Sequence, residues 1–365
     1  MELDAILEGG SDRDWRTIDP EETEPVRFAL IGLGWFTRGR VLPALEESRL
    51  CDATVLVSGT AEKAERIAAD VPGARGITYD DFRDGVARDA YDAVYVATPN
   101  ALHLDYVETA AEFGADVLVE KPMERSSDRA RELIDACDRA GVELMVAYRM
   151  HTEPSVRRAR ELVDAGLIGE PTYLHGRMSQ RLLDRVNPDP DQWRLDADLA
   201  GGGALFDLGV YPLNTARFLL RADPIAVGGR TRSTRDAFSE VDETAAFEVE
   251  FPGGVVASCF ASHNASQESA MTVVGTEGAV TIQPAFFQDE ARGLTVSRGD
   301  GRATIQLDPA DQMLEEFDYF ADRVRGGRAV YPDGEHGLVD MIAMEAVYES
   351  AAGGDEGRRV ELEPS

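Results

Sequence analysis

Lysine is almost absent from this chain. Of 37 basic residues only Lys63 and Lys121 are lysines, and all the others are arginines. Arginine is always charged, whereas lysine can shift its pKa and exchange protons, so the two that remain call for a chemical reason. Cysteine is scarce as well. Cys51, Cys137 and Cys259 are odd in number and share no CxxC spacing, which excludes a disulfide framework and leaves three reduced thiols. No two of the five histidines stand at a metal spacing such as HExxH, so no metal is expected. No apolar run approaches the roughly 20 residues that cross a bilayer. The acidic start, with no positive stretch, does not read as a signal peptide, so a cytoplasmic location is expected.

Positive charge is the largest deficit. The 37 bases face 68 acids, a formal charge of −31, and the acids are spread along all 365 residues. Such a field disfavours nucleic acid and anionic membranes, leaving a small molecule as the expected partner. An even spread covers a surface; it does not mark one site. Self-repulsion of this size is tolerable where salt screens it, and at molar salt the Debye length is about 3 Å. A high-salt cytoplasm is the expectation.

The apolar pattern divides the chain. Residues 1–25, with Pro20 and Pro25, read as an N-terminal arm. Over residues 26–149, apolar runs (Val26–Ile31, Thr54–Val57, Ala93–Ala97, Val117–Val119, Leu144–Ala147) alternate with helical segments. Continuous apolar strands separated by helices predict a parallel sheet covered on both faces. Residues 150–365 change character: a helix from Pro154 to Ala165, then an alternating region from Thr172 to Leu307. A helical insert, Leu205–Leu220, interrupts that region, and helices near Asp311–Arg325 and Leu338–Ala351 close the chain. The prediction is an α/β chain: a Rossmann dinucleotide-binding domain, then an α+β domain with a large, mostly antiparallel open sheet.

Five motifs carry chemistry. Gly32-Leu33-Gly34-Trp35-Phe36-Thr37 follows a strand and opens a helix, the setting in which glycines admit a pyrophosphate to a helix N-terminus; Thr37 stands where a third glycine is usual. The next strand ends in Ser58-Gly59-Thr60, without the carboxylate that holds the ribose 2′-hydroxyl of NAD. Ser58 and Thr60 can hydrogen-bond a 2′-phosphate, and Lys63 or Arg38 can supply the charge, which points to NADP. Thr98-Pro99-Asn100, with His103, ends a further strand, where ligands of open α/β sheets sit; all four are candidate cofactor contacts, Thr98 and Asn100 at the nicotinamide, and His103 fits helix support better than catalysis. Glu120-Lys121-Pro122 ends another, and a cis proline there would aim the lysine at the ligand. Last, the glycines 201–203 lead into Asp207 and Tyr211, which share one helix face; Trp193-Arg194 upstream offers an aromatic wall and a fixed charge. A tyrosine beside a cation is a fair proton carrier, and Lys121 is a candidate cation.

Together these motifs resemble the glucose–fructose oxidoreductase and inositol dehydrogenase family over about residues 26–352. The ordered set carries the resemblance: the glycine loop, Thr98-Pro99-Asn100 with His103, Glu120-Lys121-Pro122, Tyr148-Arg149, Ile168-Gly169-Glu170-Pro171, and the glycine run to Asp207 and Tyr211. It implies a catalytic Lys121, with Tyr211 at a position often held by histidine, and a basic contact to the 2′-phosphate from Lys63. It also implies a homo-oligomer, dimer or tetramer. With the acidity, the chain looks most like the halophilic archaeal branch of NADP-dependent sugar dehydrogenases. The implied reaction is oxidation of an aldose, D-xylose before others, at C1 to the lactone. Tyr211 or Lys121 is the base, and Asp207, Arg149, Arg194 and Tyr211 are the candidate sugar contacts. Two rivals remain. One is an NADPH-dependent sugar or carbonyl reductase, or a trans-dihydrodiol dehydrogenase, of the same family. The other is a dinucleotide-sensing regulator without turnover, which has no use for Lys121, Asp207 and Tyr211 together.

Overall fold

The structure is a computed structural model that describes residues 15–288, 290–353 and 360–361. The chain divides into two compact units.

The first unit holds residues 15–149 and Asp311–Leu338. Its strands are β1 (Val26–Ile31), β2 (Cys51–Ser58), β3 (Arg75–Thr78), β4 (Ala93–Val96), β5 (Asp116–Glu120) and β6 (Leu144–Ala147). They lie in the order β3-β2-β1-β4-β5-β6, every neighbouring pair parallel. This is the predicted Rossmann sheet. Its strands read as continuous apolar runs because helices cover both faces; Ala93–Val96 is buried throughout. β3 was not anticipated, since Arg-Gly-Ile-Thr is too short and too polar to announce a strand. Register does the positioning. Ile31 pairs with Val57 and Val96, and Val96 with Val119, so the carboxyl ends of four strands come level. The strand order reverses between β1 and β4, and the crevice at such a switch point is where this architecture takes ligands.

One boundary expectation needs correction. The helix Gln312–Arg325 was assigned with residues 150–365, yet it belongs to the first unit. Phe317 stands edge-on to Phe28 at 5.0 Å and packs on Tyr95 at 5.1 Å; Phe320 meets Phe28 at 5.6 Å. Each buried ring contributes about 1.5–3 kcal/mol, and an apolar helix face carries no label in the sequence saying which sheet it will cover. The described residues of the N-terminal arm are tied to the same helix. Trp15 is buried edge-on against Tyr319, Arg16 pairs with Asp318 at 2.8 Å, and the amides of Thr17 and Ile18 both donate to Asp322. Residues 1–14 of the arm lie outside the described residues.

The second unit holds Met150–Ala310 and the chain from Val339. Its strands are β7 (Pro171–Arg181), β8 (Ala226–Arg232), β9 (Thr244–Phe251), β10 (Val255–Ser262), β11 (Asn264–Gly275), β12 (Gly278–Gln283), β13 (Arg292–Arg298), β14 (Gly301–Leu307) and β15 (Val360–Glu361). Among the described residues they form one sheet, β14-β13-β12-β11-β7-β10-β9-β8-β15, antiparallel except where β10 runs parallel to β7. Strand β9 alternates buried and exposed residues, the signature of a sheet covered on one face. The helix Val210–Leu220 lies on the covered face, where Pro212 meets Gly176 so closely that a Cβ there would stand 2.6 Å away. On the same sheet Tyr173 and Phe260 are exposed. Buried polar groups beneath the sheet are chained together: His151 to Asn214 at 2.8 Å, Asn214 to Asp340 at 2.7 Å, and Arg217 to Asp340 at 2.8 Å. No helix among the described residues is long and apolar enough to cross a membrane.

Candidate active site

The level carboxyl ends of the first sheet gather the nucleotide-site candidates. Gly32 follows β1, with its amide bonded to Val57 O and φ at +101°; a Cβ there would lie 2.6 Å from Ala97 O, so only glycine fits. Gly34 differs. A Cβ on Gly34 would meet nothing within 4 Å, so its backbone faces open space at the start of a helix. That helix begins with a π-turn, Thr37–Val41, a winding frequent at functional sites. Thr37, at the third fingerprint position, is buried, and its Oγ1 donates to Gly32 O at 2.6 Å. Its role is therefore to hold the loop, not to contact a ligand. Trp35 is exposed and Phe36 stands edge-on to it at 5.7 Å.

Beyond β2, Ser58 is buried, while Gly59 and Thr60 are exposed. Thr60 caps the helix Ala61–Ala68 by accepting from the amide of Lys63 at 3.3 Å. The Lys63 pKa is lowered, first by burial and then by the neighbouring guanidiniums of Arg38 and Arg66. Arg38 and Arg66 thus act on Lys63 as like charges in a chain of net charge −31, a repulsion that a bound anion would relieve. Arg66 escaped the sequence reading, although it lies one turn beyond Lys63.

After β4, Thr98 is buried with its Oγ1 unbonded, and Asn100 is buried beside it. An orphaned hydroxyl at a strand's carboxyl end, an open glycine backbone and a triad of cations fit a phosphorylated dinucleotide. His103, named as a cofactor contact, is committed elsewhere. It is fully buried, with Nδ1 3.1 Å from Met123 O and Nε2 3.0 Å from Thr98 O, and burial pulls its pKa down to about 4. It supports Thr98 from behind.

Glu120 and Lys121 close β5 half-buried, and the Lys121–Pro122 bond is cis. Glu120 accepts from Tyr95 Oη at 2.7 Å and from the amide of Lys121 at 3.2 Å. Arg149, expected on the sugar, is buried, and its Nη1 donates to Gln312 Oε1 at 2.6 Å on the helix Gln312–Arg325. Glu316, one turn along from Gln312, is fully buried with neither carboxyl oxygen hydrogen-bonded. Burial and nearby Glu120 push its pKa well up.

In the second unit, the glycine run enters a π-turn, Leu205–Gly209, that continues as Val210–Leu220. It carries Asp207 and Tyr211, both half-buried. Arg194 lies on the Trp193 ring at 4.6 Å and brings Nε to 3.5 Å from Asp207 Oδ2. Tyr211 packs on Phe286 with ring centroids 5.8 Å apart. His263, which the sequence reading did not single out, reaches the same Oδ2 at 3.5 Å; it follows β10, far away in sequence. No group of acids, histidines and cysteines able to hold a metal occurs among the described residues.

Residues 26–148 match the model of the oxidoreductase family with an NAD-binding Rossmann fold, and residues 156–281 match that of the GFO/IDH/MocA C-terminal domain. The chain belongs to the GFO/IDH/MocA oxidoreductase family. The NADP⁺-dependent D-xylose 1-dehydrogenase of Haloarcula marismortui is 50% identical, covering 96% of this chain and 98% of its own. A second NADP⁺-dependent D-xylose 1-dehydrogenase, from Haloferax volcanii, is 33% identical over 92% of this chain and 99% of its own. The crystal structure of an aldose-aldose oxidoreductase from Caulobacter crescentus, complexed with glycerol, is 31% identical with a TM-score of 0.86. It covers 93% of this chain and 100% of that one. Fold class, family and oxidoreductase activity thus follow the sequence reading.

Proposed function

We propose that this family member oxidises D-xylose at C1 to the lactone with NADP⁺. The observation that carries the cofactor choice is the trio Arg38, Lys63 and Arg66 beside a strand end, Ser58-Gly59-Thr60, that lacks a carboxylate. The 50% identity to a D-xylose dehydrogenase over nearly the full chain supports the substrate.

When bound, NADP⁺ supplies the hydride acceptor for C1. The chain's own residues do the rest. Gly32 and Gly34 admit the pyrophosphate to the helix start, Thr98 and Asn100 orient the nicotinamide end, and the three cations hold the 2′-phosphate. Asp207 and Arg194 fix sugar hydroxyls, and Lys121 or Tyr211 takes the C1 hydroxyl proton. Correct placement of donor and acceptor supplies most of the acceleration, because no covalent step is needed. The enzyme works in a high-salt cytoplasm, and the exposed sheet face with Tyr173 and Phe260 is the surface through which copies pair. A panel of aldoses assayed with NADP⁺ and NAD⁺ at low and molar KCl tests this. The expected result is highest kcat/KM for D-xylose with NADP⁺ and a Tm that rises with salt. A reductase active only with NADPH and a carbonyl, or dinucleotide binding without turnover, overturns it.

A further inference from the structure

His263 belongs to no motif and lies apart in sequence from the residues assigned above. Its backbone is pinned on two sides: its amide donates to Glu243 O at 2.9 Å, and its carbonyl accepts from Leu182 N at 3.0 Å. Its ring is almost wholly buried and stacks on Phe238, with centroids 6.2 Å apart and planes at 27°. Phe238 in turn sits in a small apolar cluster with Leu182, Leu195 and Val241. The imidazole is therefore fixed in place and in tilt. From there Nε2 faces Asp207 Oδ2 across 3.5 Å. Arg194 Nε approaches the same oxygen at 3.5 Å, from a guanidinium laid on the Trp193 ring.

We propose that His263 is a positioning residue: with Arg194 it grips Oδ2 of Asp207 and so orients the carboxylate toward a sugar hydroxyl. This rests on the reading of Asp207 as a sugar contact. A half-buried carboxylate on a π-turn has freedom about χ2 unless something holds it. Two rigidly mounted nitrogens, each 3.5 Å from one oxygen, confine the carboxylate before substrate arrives, and preorganisation of this kind lowers the cost of binding. A histidine that merely filled the core would need no carboxylate at its Nε2. His263 approaches Asp207, a proposed sugar contact, so its loss should appear in sugar binding and not in cofactor binding.

The test uses the full chain and five variants, four single and one double. Glutamine can return a donor to the place of Nε2, whereas asparagine and phenylalanine cannot. His263→Phe and His263→Asn should raise KM for D-xylose about tenfold, the scale of one hydrogen bond to a charged group, with a smaller fall in kcat and no change in NADP⁺ affinity. His263→Gln should restore most of the loss. Asp207→Asn should raise KM in its own right, and adding His263→Asn to it should cost little more. If the glutamine and asparagine variants behave alike, or if KM is unchanged in both while Asp207→Asn raises it, the positioning role is wrong. If Asp207→Asn leaves KM unchanged, the sugar-contact reading of Asp207 falls first and this inference with it.

Discussion

Thr37 Oγ1 donates to the carbonyl of Gly32 across 2.6 Å, tying the third position of the glycine fingerprint back to the first. What the sequence presents as a missing glycine is a side chain that closes the loop from inside. Thr37→Val keeps the shape and deletes the donor. A neutral hydrogen bond contributes about 0.5–1.5 kcal/mol, so NADP⁺ affinity should weaken about two- to tenfold, with little change in sugar KM at saturating cofactor. Fluorescence titration with NADP⁺ measures it; unchanged affinity would mean that the loop holds itself.

The second prediction concerns cofactor choice. Ser58 ends β2, two residues before Thr60 caps the helix that carries Lys63 and Arg66. Ser58→Asp sets a carboxylate where the 2′-phosphate is proposed to sit and also gives the three cations a partner. Preference should move toward NAD⁺. Lys63→Ala should raise KM for NADP⁺ and leave KM for NAD⁺ nearly unchanged. Ratios of kcat/KM for the two cofactors decide it, and equal losses with both would place Lys63 away from the phosphate.

Acid stability gives a third. Burial pulls the pKa of His151 down to about 3 and that of His103 to about 4, so both are neutral in the folded chain at pH 7. Unfolded, each titrates near 6.5. Their stabilising contribution is therefore complete above pH 6.5. It falls as the pH drops toward 4 for His103 and toward 3 for His151, by up to about 1.4 kcal/mol per pH unit for each. Glu316, with its pKa pushed up, acts in the opposite sense, so the informative quantity is a difference between proteins. His151→Gln can keep the bond to Asn214 without a titrating group. Its Tm should fall less steeply than that of the parent between pH 6.5 and 5 in molar KCl, and parallel curves would refute the assignment.

The candidate site was legible where local pattern and function coincide. The glycine turn, the bare end of β2 and the Glu-Lys-Pro run all sit at strand ends, which apolar periodicity locates well. What escaped was contributed from a distance. Gln312 reaches Arg149 across 163 positions, and Glu316 comes near Glu120 from the same helix. His263 reaches Asp207 from the end of a strand whose own pattern announces only a sheet. Sequence spacing reports neighbours on one element and is silent on which elements will meet.

The last prediction concerns the proton. Lys121 closes β5 in the first unit, and Tyr211 rides the glycine-led helix of the second with Asp207 one turn before it. Lys121→Ala removes a proton partner and a cation together, and should lose more than the 10²–10⁴-fold typical of one general base. Tyr211→Phe keeps the ring against Phe286 and removes only the hydroxyl. It should lower turnover while leaving NADP⁺ affinity nearly unchanged. If both serve one proton transfer, the double variant should be little worse than Lys121→Ala alone, because a broken relay cannot be broken twice. Turnover of D-xylose by the two single variants and the double variant, alongside NADP⁺ titration, separates the cases. Near-normal turnover in Lys121→Ala would remove the catalytic assignment altogether. A silent Tyr211→Phe beside an inactive Lys121→Ala would make the lysine the base and leave the tyrosine to shape the sugar site. Multiplicative losses would assign the two residues to separate steps.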